Sequence, residues 1–127
     1  MLICITKLEH LQNHPLRGAI FEGMVITELV KQRTNAGLPI NLFYSRDKTG
    51  HEIDVIIDET EKLIPIELKP GQTINNEFFK NITYWNNLSD QRDSFVLYAG
   101  NQMQKRSTGI TVLNWREFLK RNPLIGQ

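Results

Sequence analysis

The chain has 127 residues, with 15 lysines and arginines against 14 aspartates and glutamates and a formal charge of +1. That length suits one domain with a real core and argues against two, and so even a charge balance excludes a protein that grips nucleic acid by bulk charge alone. With 40% hydrophobic and 23% charged residues the composition is that of a soluble protein, and no apolar run approaches the length of a membrane span.

The opening "MLICITKLEH" has no basic leader and no small-residue cleavage site, so no secretory signal is expected there. The single cysteine, Cys4, has no partner for an internal disulfide. Both features point to a reducing, cytoplasmic setting. A phosphate-cradling G-x-x-x-x-G-K-[ST] sequence is absent, so no nucleotide site of that kind is expected in this chain.

In chain order, "NHPLRGAIFEGMVITELVKQRTNAG" predicts a helix from about Gly18 to Arg33, stopped by Asn35 and Gly37. At 100° per residue, Gly18, Phe21, Val25, Ile26, Leu29 and Val30 share one apolar face, with Glu22 near its middle and Glu28 at its edge. Alternation in "INLFYSR" predicts a strand with Ile40, Leu42 and Tyr44 on one side, and "DKTG" reads as a turn. "HEIDVIID" and "LIPIELK" form a hairpin. A turn centred on "ETEK" pairs Ile53 with Leu68, Val55 with Ile66 and Ile57 with Ile64, giving one wholly apolar face. The same register sets Asp54 opposite Glu67 and Glu52 opposite Lys69.

A second helix is expected from Ile74 to Leu88, where Phe78, Ile82 and Trp85 fall at helical spacing. "SFVLYAG" is short and continuously apolar, as a strand buried on both faces would be. A loop bearing Lys105 and Arg106 follows, then "GITVLN" as an edge strand. "NWREFLKR" opens a terminal helix, with Asn114 and Glu117 spaced as a capping box. The whole reads as an α/β sandwich with a mixed sheet flanked by helices.

Two carboxylates facing each other across a strand pair repel, and burial makes each harder to keep charged. Asp54 and Glu67 therefore demand a cation. Mg²⁺ or Mn²⁺ suits an oxygen-only donor set, and there is no Cys/His cluster to favour zinc. Lys69, one pleat beyond Glu67, is the other source of positive charge. Glu22, in the middle of an apolar stripe, needs a partner as well, and a helix packed on the sheet would aim it at the same strands. Three acids and one lysine converging there could hold a metal, lower the pKa of a bound water and stabilise charge on a phosphate. The ordinary alternative is a hairpin with exposed charges on its outer face, a Glu67–Lys69 ion pair, and Glu22 reaching the helix rim to meet Arg17 or Arg46.

A glutamate on the first helix, an aspartate, twelve residues and then Glu-x-Lys resembles the PD-(D/E)XK nuclease superfamily. Asp54, Glu67 and Lys69 fall on its central motif. Glu22 is similar in position to the helix acid of archaeal Holliday-junction resolvases; Ile53 stands where the motif often has proline. The blocks "HPLRGAIFEGMVITEL", "FYSRDKTGHEIDVII" and "LIPIELKPGQT" resemble, more narrowly, a domain of unknown function that follows the ATPase core in many bacterial and archaeal AAA-type ATPases.

The resemblance implies a restriction-endonuclease-like αβββαβ core occupying residues 1–127 as a single domain without the upstream ATPase module. The chain is then expected to be a fragment, a shortened family member or a stand-alone descendant. It implies metal-dependent hydrolysis of DNA phosphodiesters, with Asp54, Glu67 and Glu22 as metal ligands and Lys69 polarising the nucleophile or the scissile phosphate. The alternative is a non-catalytic module that binds DNA or a protein partner as accessory to an AAA-type ATPase. A homodimer covering the face of a lost domain is a third reading.

Glu28, Glu52 and Gln72 are kept as supporting candidates. For Glu28 a surface position is the simpler account, for Glu52 a pairing with Lys69 or exposure to solvent, and for Gln72 the end of a strand. His51 reads as a turn-flanking residue, His10 and His14 as loop residues, and Tyr84 and Trp85 as core rather than base-stacking platforms. The clusters Lys31 with Arg33, Arg46 with Lys48, Lys105 with Arg106, and Arg116 with Lys120 and Arg121 read as solvated surface charge.

Overall fold

The computed structural model describes residues 2–4, 16–46, 50–59, 62–89 and 93–121. His10 and His14, residues 47–49 of the "DKTG" turn and the two central residues of "ETEK" lie outside them. Strands β1 (Leu2–Cys4), β2 (Leu42–Arg46), β3 (Glu52–Asp58), β4 (Leu63–Lys69), β5 (Ser94–Tyr98), β6 (Gln104–Lys105) and β7 (Ile110–Asn114) form one sheet in the order β1-β2-β3-β4-β5-β7-β6. β1 to β4 pair antiparallel, whereas β4, β5 and β7 run parallel, so the sheet is mixed. The helices are α1 (Leu16–Asn35), α2 (Lys80–Ser89) and α3 (Trp115–Arg121). No helix among the described residues is long and apolar enough to cross a membrane.

Helix α1 forms where the apolar stripe predicts it. Phe21, Val25, Ile26 and Leu29 are buried with Val55, Ile57, Ile64, Ile66 and Leu68 of the sheet, in a cluster that Phe118 of α3 also joins. Gly37 ends the helix in the left-handed region at φ 72°, and the Leu38 amide bonds back to the Arg33 carbonyl at 2.9 Å, a closure that glycine makes cheap. The opposite sheet face carries a second cluster, in which Ile53, Ile56, Val96, Tyr98 and Val112 meet Phe78, Phe79 and Ile82. Those aromatics come from a 3₁₀ turn, Asn76–Phe79, that precedes α2. The turn arises because the Asn75 side chain accepts the Glu77 amide at 2.9 Å, so regular α-helix begins later than the Ile74 expected from spacing.

Two expectations are corrected at the far side of the sheet. β7 is an interior strand, because the loop after β5 contains β6, whose Gln104 and Lys105 pair with Val112 and Thr111. Ile110, Val112 and Leu113 are accordingly buried. The capping box at α3 is only half made: Asn114 Oδ1 accepts the Arg116 amide at 2.8 Å, while the Glu117 carboxylate is turned to Lys120 and Arg121.

Candidate functional site: a carboxylate cluster where the sheet splits

β3 and β4 pair in the register expected, Val55 with Ile66 and Ile57 with Ile64. The ladder starts at Val55, one residue short of Asp54, and the reason lies on the other edge of β3. Between the pairs Phe43–Ile56 and Ser45–Ile53, the single residue Tyr44 of β2 faces two of β3, Asp54 and Val55. That is a β-bulge, which breaks the alternation of side chains and re-aims those next to it. Ile53 consequently joins the α2-side cluster with Ile56 instead of the α1-side cluster with Val55 and Ile57. The expected Ile53–Leu68 apolar pair is corrected on this point: the two side chains lie in different clusters. β2 itself keeps its alternation, with Leu42 on the α1 side and Phe43 on the α2 side, and begins at Leu42, so the expected Ile40 lies before it.

In the gap that opens, side chains take amide protons that a regular ladder would give to carbonyls. The Asp54 amide donates to Glu67 Oε1 at 3.3 Å, and the Leu68 amide donates to Asp54 Oδ2 at 2.9 Å. Asp54 and Glu67 are thus neighbours, as the register demands, but are joined through carboxylate-to-amide bonds. Glu67 alternates with Ile66 and Leu68, so its Cβ starts on the face away from α1, and the gap lets its carboxylate reach the Asp54 amide. β4 itself stays bound to β5 as far as Lys69, which pairs with Tyr98.

From α1, Glu22 enters the same gap and hydrogen-bonds the Asp54 side chain. Glu22, Asp54 and Glu67 are only 4%, 8% and 2% exposed. Lys69 completes the group, with Nζ 3.4 Å from Glu67 Oε2. Burial, then the hydrogen bond and negative charge of Asp54 and the charge of Glu67, push the Glu22 pKa up to about 9, with Lys69 opposing. Glu22 therefore carries its proton at neutral pH. The Glu67 carboxyl is raised well above its ordinary range, by burial first and Asp54 next, against the pull of Lys69.

The exposed outer-face alternative does not describe the two strand acids, since Asp54 and Glu67 are buried; Glu22 is buried too and hydrogen-bonds Asp54, and the Arg17 side chain lies outside those described. The Glu67–Lys69 pair does form. Of the supporting residues, Glu28 is half-buried beside Lys31 at 3.5 Å and away from the cluster. Glu52 bonds Arg46 at 3.4 Å, its partner across β2, and the expected pairing with Lys69 is corrected because the β3–β4 ladder does not extend that far. Gln72 is exposed beyond Lys69. His51 stacks on the half-buried Tyr84, ring centroids 3.8 Å apart.

The bulge and Tyr44 opposite it were missed, since a two-for-one mismatch leaves no mark in a hydrophobic pattern that still alternates locally. The donor set is all oxygen, and the charge of Asp54 raises the pKa of both glutamates, which fits a hard divalent cation in chemistry and in charge. The arrangement is not a ready-made cage: among the described residues no group of three His, Cys, Asp or Glu side chains is placed to ligate an ion.

Residues 17–118 match the family described as Domain of unknown function (DUF4143), four-fifths of the chain and all four members of the cluster. The chain belongs to DUF4143. No curated protein and no solved structure matches it. Within DUF4143, then, the matched segment spans α1, the split between β3 and β4, and α3 as far as Phe118.

Proposed function

We propose that this DUF4143 chain is a nuclease-like domain with a restriction-endonuclease-like αβββαβ core, hydrolysing DNA phosphodiesters with Mg²⁺ or Mn²⁺. The supporting observation is the meeting of Glu22, Asp54, Glu67 and Lys69, from one helix and two strands, in a buried break of the sheet. Nothing in core packing calls for three acids in one gap; such a group costs stability, and functional sites are where proteins retain that kind of cost. Asp54 and Glu67 would hold the ion, with Glu22 behind them. A divalent ion there would lower the pKa of a bound water and draw off charge from the phosphate.

The chain's own residues supply the rest. The amides of Asp54 and Leu68 orient the two carboxylates. Protonated Glu22 is a proton store beside Asp54. Lys69, with about a quarter of its side chain exposed, presents an ammonium at the mouth of the gap where a phosphate oxygen would sit.

A second reading is favoured by one observation: both carboxylates are engaged inward, with the backbone and with Lys69. That suits a non-catalytic module that binds DNA or a protein partner and is accessory to an AAA-type ATPase, the fold kept without turnover. Incubation with linear and branched DNA in Mg²⁺ or Mn²⁺ separates the two. Cleavage that Asp54→Ala abolishes is the expected result; no cleavage, or cleavage that survives the substitution, leaves the module.

A further inference from the structure

The end of the sheet that carries the acids also carries a second, basic feature. Lys69, Tyr98 and Asn114 are register partners in one row across β4, β5 and β7. At the usual spacing of strands, Lys69 and Asn114 are therefore about 10 Å apart. Beyond that row lies a cleft of about 470 Å³, lined among others by Asn101, Asn114, Arg116, Lys120 and Arg121, with Glu117 beside them. Three cations against one carboxylate make it positive in a chain whose overall formal charge is only +1.

The cleft is tied to Glu22 of the acid cluster on the α1 side of the sheet. Arg116 lies over the Trp115 ring at 4.8 Å, and Trp115 meets Phe21 edge-on at 6.3 Å, the residue before Glu22. Gln32 of α1 donates to the Leu119 carbonyl of α3 at 2.7 Å. The strand ends are joined as well. Asn114 Nδ2 donates to the Gly100 carbonyl at 2.8 Å, and Gly100 sits so close to the Gln72 carbonyl, just past Lys69, that a Cβ would come within 2.5 Å of it. Glu117 holds Lys120 at 3.7 Å and Arg121 at 3.6 Å, which spreads the two cations along the wall.

We propose that this cleft binds backbone phosphates of DNA, and that it docks the strand whose phosphodiester lies at the Glu22, Asp54, Glu67 and Lys69 cluster. The choice of DNA rests on the nuclease reading. The spacing fits, since about 10 Å is roughly three rises of 3.4 Å measured along the axis of a duplex. The chemistry fits too: guanidinium and ammonium groups pair with phosphate oxygens, and the asparagine amides add neutral donors. Local clustering lets a nearly neutral chain hold a polyanion.

DNA affinity should be measured in EDTA, where cleavage is silent, as a function of salt for wild type, Arg116→Ala/Lys120→Ala, and the control Lys31→Ala/Lys62→Ala, whose residues lie elsewhere. Removing the cation that neutralises one phosphate lowers the slope of log K against log salt by about 0.9, so the cleft variant should lose about 1.8, a roughly twelvefold larger loss at about 50 mM than at about 200 mM salt. The control should match wild type. Equal slopes for the two variants, no DNA binding by wild type, or displacement of DNA by a mononucleotide at micromolar concentration would each overturn the proposal. Binding that depends on the cleft while DNA stays uncut in Mg²⁺ would uphold the cleft and remove the nuclease reading.

Discussion

Replacing Glu22 by glutamine should make the metal-free protein more stable, by an amount that depends on pH. Glu22 holds its proton in the folded chain up to about 9, whereas in the unfolded chain it ionises at 4.5. Below 4.5 both states are protonated and the residue has no effect on the balance. As pH rises above 4.5, the unfolded state sheds its proton, the folded state keeps it, and stability falls until the folded group itself ionises. From 4.5 to about pH 7 is two and a half units, and at about 1.36 kcal/mol per unit the loss reaches about 3.4 kcal/mol.

Glutamine keeps the size and can donate to Asp54, but it does not ionise. Allowing for an imperfect amide bond, Glu22→Gln should gain about 1–3 kcal/mol at about pH 7, a rise in Tm of roughly 4–10 °C, and almost nothing at about pH 4. Urea unfolding of both proteins across this range, in EDTA, gives the difference directly, and the other titrating groups cancel in it. A difference that is flat with pH, or one that is smaller at neutral pH than in acid, would refute a protonated Glu22 in the split and with it the electrostatic account of the site.

Lys69→Met removes the cation that opposes the rise of Glu22 and Glu67; it should be nearly silent in acid and cost about 1–3 kcal/mol at neutral pH, measured by the same unfolding series. Gly100→Ala places a Cβ against the Tyr98 ring and the Gln72 carbonyl, and since main chain cannot swing aside it should cost about 1–3 kcal/mol in a thermal melt. Asn114→Ala loses both the cap on Arg116 and the bond to the Gly100 carbonyl; about 1–2 kcal/mol is expected, with a lower DNA affinity through the cleft.

Much of the frame was legible because short-range chemistry dictates it. Spacing in Phe21, Val25, Ile26 and Leu29 places α1, since only one face of a helix can be buried. Val55, Ile57, Ile64 and Ile66 place the hairpin and its register, because a one-residue slip would turn them to the other face. The same reasoning singled out Glu22, Asp54 and Glu67 as acids in apolar company, and burial of all three agrees with it. What the sequence determined, then, was the elements, their apolar faces and which residues sat awkwardly on them.

Tertiary structure decided how those residues meet. The bulge opposite Tyr44 depends on the pairing of β2 with β3, and it stops the β3–β4 ladder, moves Ile53 across the sheet and lets carboxylates take the amides of Asp54 and Leu68. Whether β7 lies at an edge depends on a two-residue strand too short to show any periodicity. The cluster of Arg116, Lys120 and Arg121 reads alone as solvated charge, and becomes a cleft wall only because three parallel strands end side by side. Each of these is a relation between segments distant in the chain, and periodicity reports only on neighbours.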